Sequence, residues 1–186
     1  MTNPTEFPSL QTDRLLLREI VASDADELLA IHGDAELMRW FGSDPLTDIA
    51  AAHGLIKAFA GWRQQENPGV RWGLQIKEQP QLLGTCGLFR WDRNWRKCVL
   101  GYELAEHAQK RGLMLEALTA SLSWGFKHMD LNRVEAQFHP DNHASLKLVK
   151  RLGFVEEGRL RQAGYWRNQY HDLLQVSLLR SEWSRR

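Results

Sequence analysis

The sequence predicts an α/β fold in which helices flank a mixed, mostly antiparallel sheet of about six or seven strands. Three observations carry that reading. First, the middle of the chain reads as three successive strands: "VRWGLQIKE" alternates in polarity, and "LLGTCGLFRW" and "KCVLGYEL" follow it. Second, the period changes at Gly112, after which Met114, Leu118, Leu122, Phe126 and Met129 recur at helical spacing and mark one core-facing side. Third, a strand, a short helix and two more strands follow, so helices and strands are interleaved.

Each element has its own local signal. "RLLLREI", from Arg14 to Ile20, reads as the first strand. Ser23 is placed to cap a helix that begins at Asp24 and runs toward His32, with acids in its first turn. "DAELMRWFG" adds a short helical piece that Gly42 ends. Thr47 reads as the cap of a helix over "DIAAAHGLIKAFAGWRQQ", closed by "ENPG". The turn "QPQ" separates the first two middle strands, and the second and third are expected to pair antiparallel across the polar loop "DRNWRK". "RVEAQFH" is a strand, and "NHASLKLVKRLG" is a short helix whose Gly153 suits a left-handed cap. From Phe154 the tail, through "GYWRNQYHDLLQVSLL", predicts a hairpin of two strands.

Residues 1–186 read as one domain, because the length suits a single core and no repeat, low-complexity segment or Gly/Ser linker divides it. Hydrophobic residues make up 43% and charged residues 25%, as in an ordinary soluble globular protein. The formal charge of +1 argues against a nucleic-acid binder and against a polybasic membrane anchor. No apolar run approaches the roughly 18 residues of a membrane span, and "MTNPTEFPSLQTDR" lacks the features of a signal peptide. Cys86 and Cys98 fit neither a disulfide framework nor a zinc site, so a reduced, cytoplasmic protein is expected.

Two segments carry chemistry. Gln109, Lys110, Arg111, Gly112, Leu113 and Met114 open the long helix without the usual Ser, Thr or Asp cap. A helix start offers free amides and a partial positive charge, which attract phosphate. Gly112 would let a diphosphate approach the backbone, and Lys110 and Arg111 would add charge there. The plain alternative is an irregular helix start with solvated cations. The second segment, "PDNHASLKLVKRLGF", puts Asn142 at a helix mouth and Ser145 one turn in. Asn142 reads equally as a cap, and Ser145 as a first-turn serine bonded to backbone.

The order of strand, Q-x-x-G helix, strand, N-x-x-S helix and Gly-Phe resembles the GNAT superfamily of acyl-CoA N-acyltransferases, and within it the RimJ/RimL branch, which acetylates protein N-termini. The resemblance spans nearly the whole chain, from "LQTDRLLLRE" through "LGYEL", "NHASLKLVKRLGF" and "EEGRLR" to "YHDLLQVSLLRSEW". It implies a single-domain GNAT-like fold, acetyl-CoA as cosubstrate and no metal. It puts the CoA diphosphate on the turn where Gln109, Arg111 and Gly112 match the family pattern. Lys110 departs from a frequent glycine, and Met114 from a small residue. Leu104, Leu113, Asn142 and Ser145 complete the cofactor-binding set that it implies.

By the same resemblance, an amine attacks the thioester directly, with no acyl-enzyme. Backbone amides of the strand near "GYEL" would stabilise the charge on the thioester oxygen. Glu103 on that strand is the base candidate, and its other reading is a strand glutamate tied into a polar network. Many superfamily members carry an acidic tyrosine seven residues after the asparagine, where this chain has Val149. Ser145 is left as hydrogen-bond donor to the departing thiolate, or as a capping residue only.

The acceptor that the branch implies is the N-terminal α-amine of a protein or peptide, such as a ribosomal protein, with no role for nucleic acid or membrane, on a monomer or homodimer. Two rivals stand beside it: a small-amine acetyltransferase acting on a polyamine, an aminoglycoside or an amino acid, and a non-catalytic CoA-binding module. His139 with Asp141 is too sparse for a metal site, and His171 with Asp172 reads as a strand polar network. Trp40, and Trp91 or Trp95, are candidates to line the acceptor groove.

Overall fold

In the computed structural model, described for residues 6–184, the chain forms in order β1 (Leu10–Gln11), β2 (Leu15–Arg18), α1 (Ala25–His32), α2 (Ile49–Gly61), β3 (Val70–Ile76), β4 (Gly84–Asp92) and β5 (Lys97–Leu104). It continues with α3 (Leu113–His128), β6 (Arg133–Phe138), α4 (His143–Arg151), β7 (Val155–Trp166), β8 (Gln169–Leu179) and α5 (Arg180–Trp183). Residues 1–5, and with them the start of the segment read for a signal peptide, lie outside the described residues. No helix among those described is long and apolar enough to cross a membrane.

The strands join one eight-stranded sheet in the order β1-β2-β3-β4-β5-β6-β8-β7. The larger core lies on one face, where Met114, Leu118, Leu122 and Phe126 of α3 pack against Leu15, Leu17, Trp72, Cys86 and Leu100. These are the positions that the helical period marks. The smaller core lies under α1 and α2, built from Ile20, Leu28, Ala52, Ile56, Phe59 and Leu82. With helices on both sides, residues 70–74 of β3 are all buried, and the outward alternation fades there.

Every neighbouring pair is antiparallel except β5 and β6. Parallel neighbours need a crossover, and α3 provides it. The pair is hydrogen-bonded only from Lys97–Val99 to Arg133–Glu135, although β5 runs on to Leu104 and β6 to Phe138. The two strands therefore part at their carboxyl ends and leave a gap in the sheet. Both α3 and α4 begin beyond it, the place where open α/β sheets receive ligands.

The structure departs from the sequence reading at several ends. The sheet has eight strands, because the two-residue β1 is too short to show a period. Ser23 does not cap α1: the carboxylate of Asp24 accepts from the Val21 amide at 2.8 Å and is gripped by Arg18 at 2.7 Å. Asp48 rather than Thr47 caps α2, accepting from the Ala51 amide at 2.8 Å. Gly153 does take the left-handed conformation expected of it, with φ of 85°. The carboxyl-terminal turn α5 had no periodic signal.

Candidate active site

The start of α3 is built from the turn that follows β5. The Gln109 side-chain amide donates to the Leu104 carbonyl at 3.0 Å, folding the turn back against the strand end. Lys110 has φ of 60° and Gly112 φ of 75°, so two left-handed residues steer the chain into the helix. Lys110 is in a conformation that a glycine would take with less strain. No side chain caps α3, unlike α2 and α4. The amides of its first turn therefore have no partner within the helix. Leu113 and Met114 are buried in the core, so their side chains are not offered to a ligand.

A third cation joins Lys110 and Arg111. Arg14 donates to the Arg111 carbonyl at 3.0 Å and pairs with Glu116 at 2.7 Å. Burial tends to raise the pKa of Glu116, but the hydrogen bonds from Thr12 and Arg14 hold it below the usual carboxylate range. Three cations, one of them paired with Glu116, thus stand at the uncapped start of α3.

On the α1/α2 side of the sheet lies a cluster of buried polar residues: His32, Arg71, Thr85 and Glu103. Arg71 and Thr85 both donate to the Glu103 carboxylate. His32 Nε2 lies 3.1 Å from Glu103 Oε1, and Arg71 Nε donates to Thr85 Oγ1 at 2.6 Å. Arg71 also lies 5.0 Å over the Phe59 ring. Burial pushes the Glu103 pKa up, but the Arg71 charge and the His32 and Thr85 hydrogen bonds outweigh it, and the net shift is downward. Of the two readings of Glu103, base candidate and strand glutamate in a polar network, the structure shows the network around it. Both of its oxygens are engaged, and direct proton uptake would break a buried ion pair. The sequence offered no pattern for the network, because its members come from α1, β3, β4 and β5.

Asn142 caps α4, its side-chain oxygen accepting from the Ser145 amide at 3.1 Å. That bond uses the Ser145 backbone, and the Ser145 side chain is in hydrogen-bonding contact with the Tyr102 phenol. The Tyr102 hydroxyl reaches the Ser145 carbonyl at 3.5 Å, and its ring lies 5.9 Å from Phe138. Tyr102 thus bridges β5 to β6 and α4 beside the gap, and burial pushes its phenol pKa up. At the same end of the sheet Trp40 stacks on His139 at 4.1 Å, and Trp166 on His171 at 3.8 Å. Trp166 Nε1 donates to the Arg39 carbonyl at 3.2 Å, tying the segment before α2 to the β7–β8 hairpin. Asp172 pairs with Arg159 at 2.7 Å. Trp91 and Trp95 lie at the Lys97 end of β5 instead, roughly 20 Å from the carboxyl end of that strand at about 3.3 Å per residue. Of the tryptophans proposed for an acceptor groove, only Trp40 is near it.

The acetyltransferase (GNAT) domain family matches residues 14–155. The chain belongs to the GNAT acetyltransferase family. It is an N-acetyltransferase that uses acetyl-CoA. It is 33% identical over 174 residues to the uncharacterized N-acetyltransferase YoaA of Bacillus subtilis (strain 168), covering 94% of this chain and 98% of the relative. It is 26% identical over 186 residues to the ribosomal protein uS5-alanine N-acetyltransferase of Escherichia coli (strain K12), covering 94% and 92%. A crystal structure of a probable acetyltransferase superposes with a TM-score of 0.83 at 27% identity, covering 94% of this chain and 98% of that one.

Tested against this GNAT chain, the fit to acetyl-CoA is good. An uncapped helix start, two left-handed residues and three cations suit a diphosphate. Among the described residues, no group of three or more His, Cys, Asp or Glu is arranged to hold a metal. The sequence reading missed Arg14, His32, Arg71 and Thr85. Arg14 stands in the quoted "LQTDRLLLRE", but only folding brings it to Gly112.

Proposed function

We propose that this chain acetylates the N-terminal α-amine of a protein or peptide, of the ribosomal-protein type, in the cytoplasm, with residues 1–186 acting as one catalytic domain. In this reading the first-turn amides of α3 with Lys110, Arg111 and Arg14 hold the diphosphate of acetyl-CoA. Gln109 keeps the turn in place, and Leu104 and Tyr102 border the thioester end. The bound cosubstrate supplies an activated acetyl group. Ser145 donates a hydrogen bond to the sulfur as its charge grows, while Asn142 holds the start of α4. The observation that carries the reading is the uncapped start of α3 beside the gap between β5 and β6.

The choice of acceptor has a chemical reason. An α-amine has a reference pKa near 7.7–8.0, against about 10.4 for lysine. At neutral pH a sizeable fraction of α-amines is neutral, but well under roughly one per cent of lysines. A site whose carboxylate is tied up in an ion pair suits the easier nucleophile. Purified protein, acetyl-CoA and a lysine-containing peptide should give a product with the acetyl group on its first residue, read by mass spectrometry. Acetyl on lysine, or turnover of polyamines alone, would overturn the acceptor assignment. Absence of turnover with every amine would favour a CoA-binding module.

A further inference from the structure

The buried cluster leaves a second group at the place where Glu103 was expected to act. Glu103 Oε1 receives the Thr85 hydroxyl and the contact from His32, and Oε2 receives Arg71. An ionised carboxylate can only accept, so the hydrogen in the 3.1 Å contact sits on Nε2 of His32. That fixes the tautomer: in neutral His32 the lone pair is on Nδ1. Among the described residues no hydrogen bond reaches Nδ1. The ring is 2% exposed, hangs from the last residue of α1, and meets the edge of Phe41 at 5.2 Å. It cannot exchange its nitrogens without giving up Glu103.

The cluster lies next to the gap through Glu103. Glu103 immediately precedes Leu104, where β5 ends beside the gap and the α3 turn begins. The charged groups facing His32 are Glu103 from β5 and, behind it, Arg71 from β3. Thr85 of β4 and Phe41 add no charge. Arg71 offsets the Glu103 charge, so the cluster carries no net charge until His32 takes a proton. The proton arriving on the imidazole then gives the cluster one positive charge, held 3.1 Å from a Glu103 oxygen.

We propose that His32 takes the proton of the acceptor amine, directly or through one water, and that Glu103 is its positioning residue. The proposal rests on the acetyl-transfer reading of this site. As the amine nitrogen bonds to the acetyl carbon, the thioester C–S bond breaks and its electron pair leaves on sulfur as thiolate. The surplus proton on nitrogen passes to Nδ1 of His32. The imidazolium then loses that proton to the thiolate or to solvent, so no further reactant is needed.

Two measurements test this. In the free wild-type protein, long-range proton–nitrogen NMR should show neutral His32 protonated on Nε2. A neutral ring protonated on Nδ1, or a ring doubly protonated up to pH 9, would overturn the proposal without any variant or turnover. In steady-state kinetics with saturating peptide and acetyl-CoA, H32Q should lower kcat by about 10²-fold, the low end for general acid–base catalysis. It should also remove the acid limb of the kcat–pH profile while acetyl-CoA affinity stays within twofold. E103Q should shift that limb, and H32Q/E103Q should be no slower than H32Q alone, since the two act as a unit. A folded H32Q enzyme with wild-type kcat and an unchanged profile would sink the role of His32 and leave the acetyltransferase reading intact. A wild type that acetylates no amine would sink the acetyltransferase reading instead, with the NMR result standing apart.

Discussion

Replacing Gly112 with aspartate separates ligand binding from folding. Gly112 has φ of 75°, and a Cβ added there would find only Arg14 Nη2, at 3.6 Å, an ordinary contact. The substitution therefore brings left-handed strain of about 1 kcal/mol, which aspartate tolerates better than most residues. A carboxylate at a helix start beside cations returns about 0.3–1 kcal/mol. The free variant should melt within about 4 °C of wild type, at roughly 2–4 °C per kcal/mol for a chain of this size. Binding should change far more. Two unit charges about 5 Å apart repel by about 3 kcal/mol at an effective dielectric near 20, and exposure to solvent reduces this to about half. A diphosphate carries about two charges, so the loss is about 3 kcal/mol, or roughly 10²-fold in affinity. Ligand at about 100 times the wild-type dissociation constant adds about 2.7 kcal/mol to wild type, a rise of about 5–10 °C. The same concentration should raise the variant by about 1 °C. Calorimetry and thermal melts read both quantities. A folded variant that binds acetyl-CoA as tightly as wild type would refute the placement of the diphosphate.

Two more predictions concern the ion pair and the start of α4. R71M leaves Glu103 buried without its countercharge and should cost about 3–5 kcal/mol at pH 7. In wild type the lowered Glu103 pKa gives stability that is present above the unfolded carboxylate pKa, near 4.3, and lost as pH falls below it. In the variant burial dominates and the pKa rises, so the deficit should shrink toward pH 4; an equal deficit in urea unfolding at pH 7 and pH 4.5 would contradict this. S145A keeps the cap bond, which uses the Ser145 backbone, and loses only the side-chain contact with Tyr102, so it should lower the melting temperature by no more than about 4 °C yet lower kcat by about tenfold. N142A should lower the melting temperature by about 2–4 °C through loss of the cap, and an unchanged kcat in S145A would reduce Ser145 to a structural residue.

Much of the scaffold was legible in the sequence, since periodicity and helix termini are local properties. The five apolar positions from Met114 to Met129 are buried as their spacing requires, and Gly153 takes the left-handed conformation that its place after a helix demands. The start of α3 could be read as an amide-rich opening from the missing cap alone, because no later fold contact has to be known to see it. Cap identity was harder. Ser23 against Asp24, and Thr47 against Asp48, are adjacent polar residues, and which oxygen reaches the amide depends on how the turn is held. The catalytic side was beyond any window of sequence. Glu103 was open to two readings until folding brought Arg71 from 32 residues away and His32 from 71 residues away onto its carboxylate. Arg14 reaches Glu116 across 102 residues, and Trp166 reaches Arg39 across 127. Local pattern determines which elements form and where a helix leaves its amides free, but a proton's route depends on side chains brought within hydrogen-bonding distance, and only the packed sheet sets those distances.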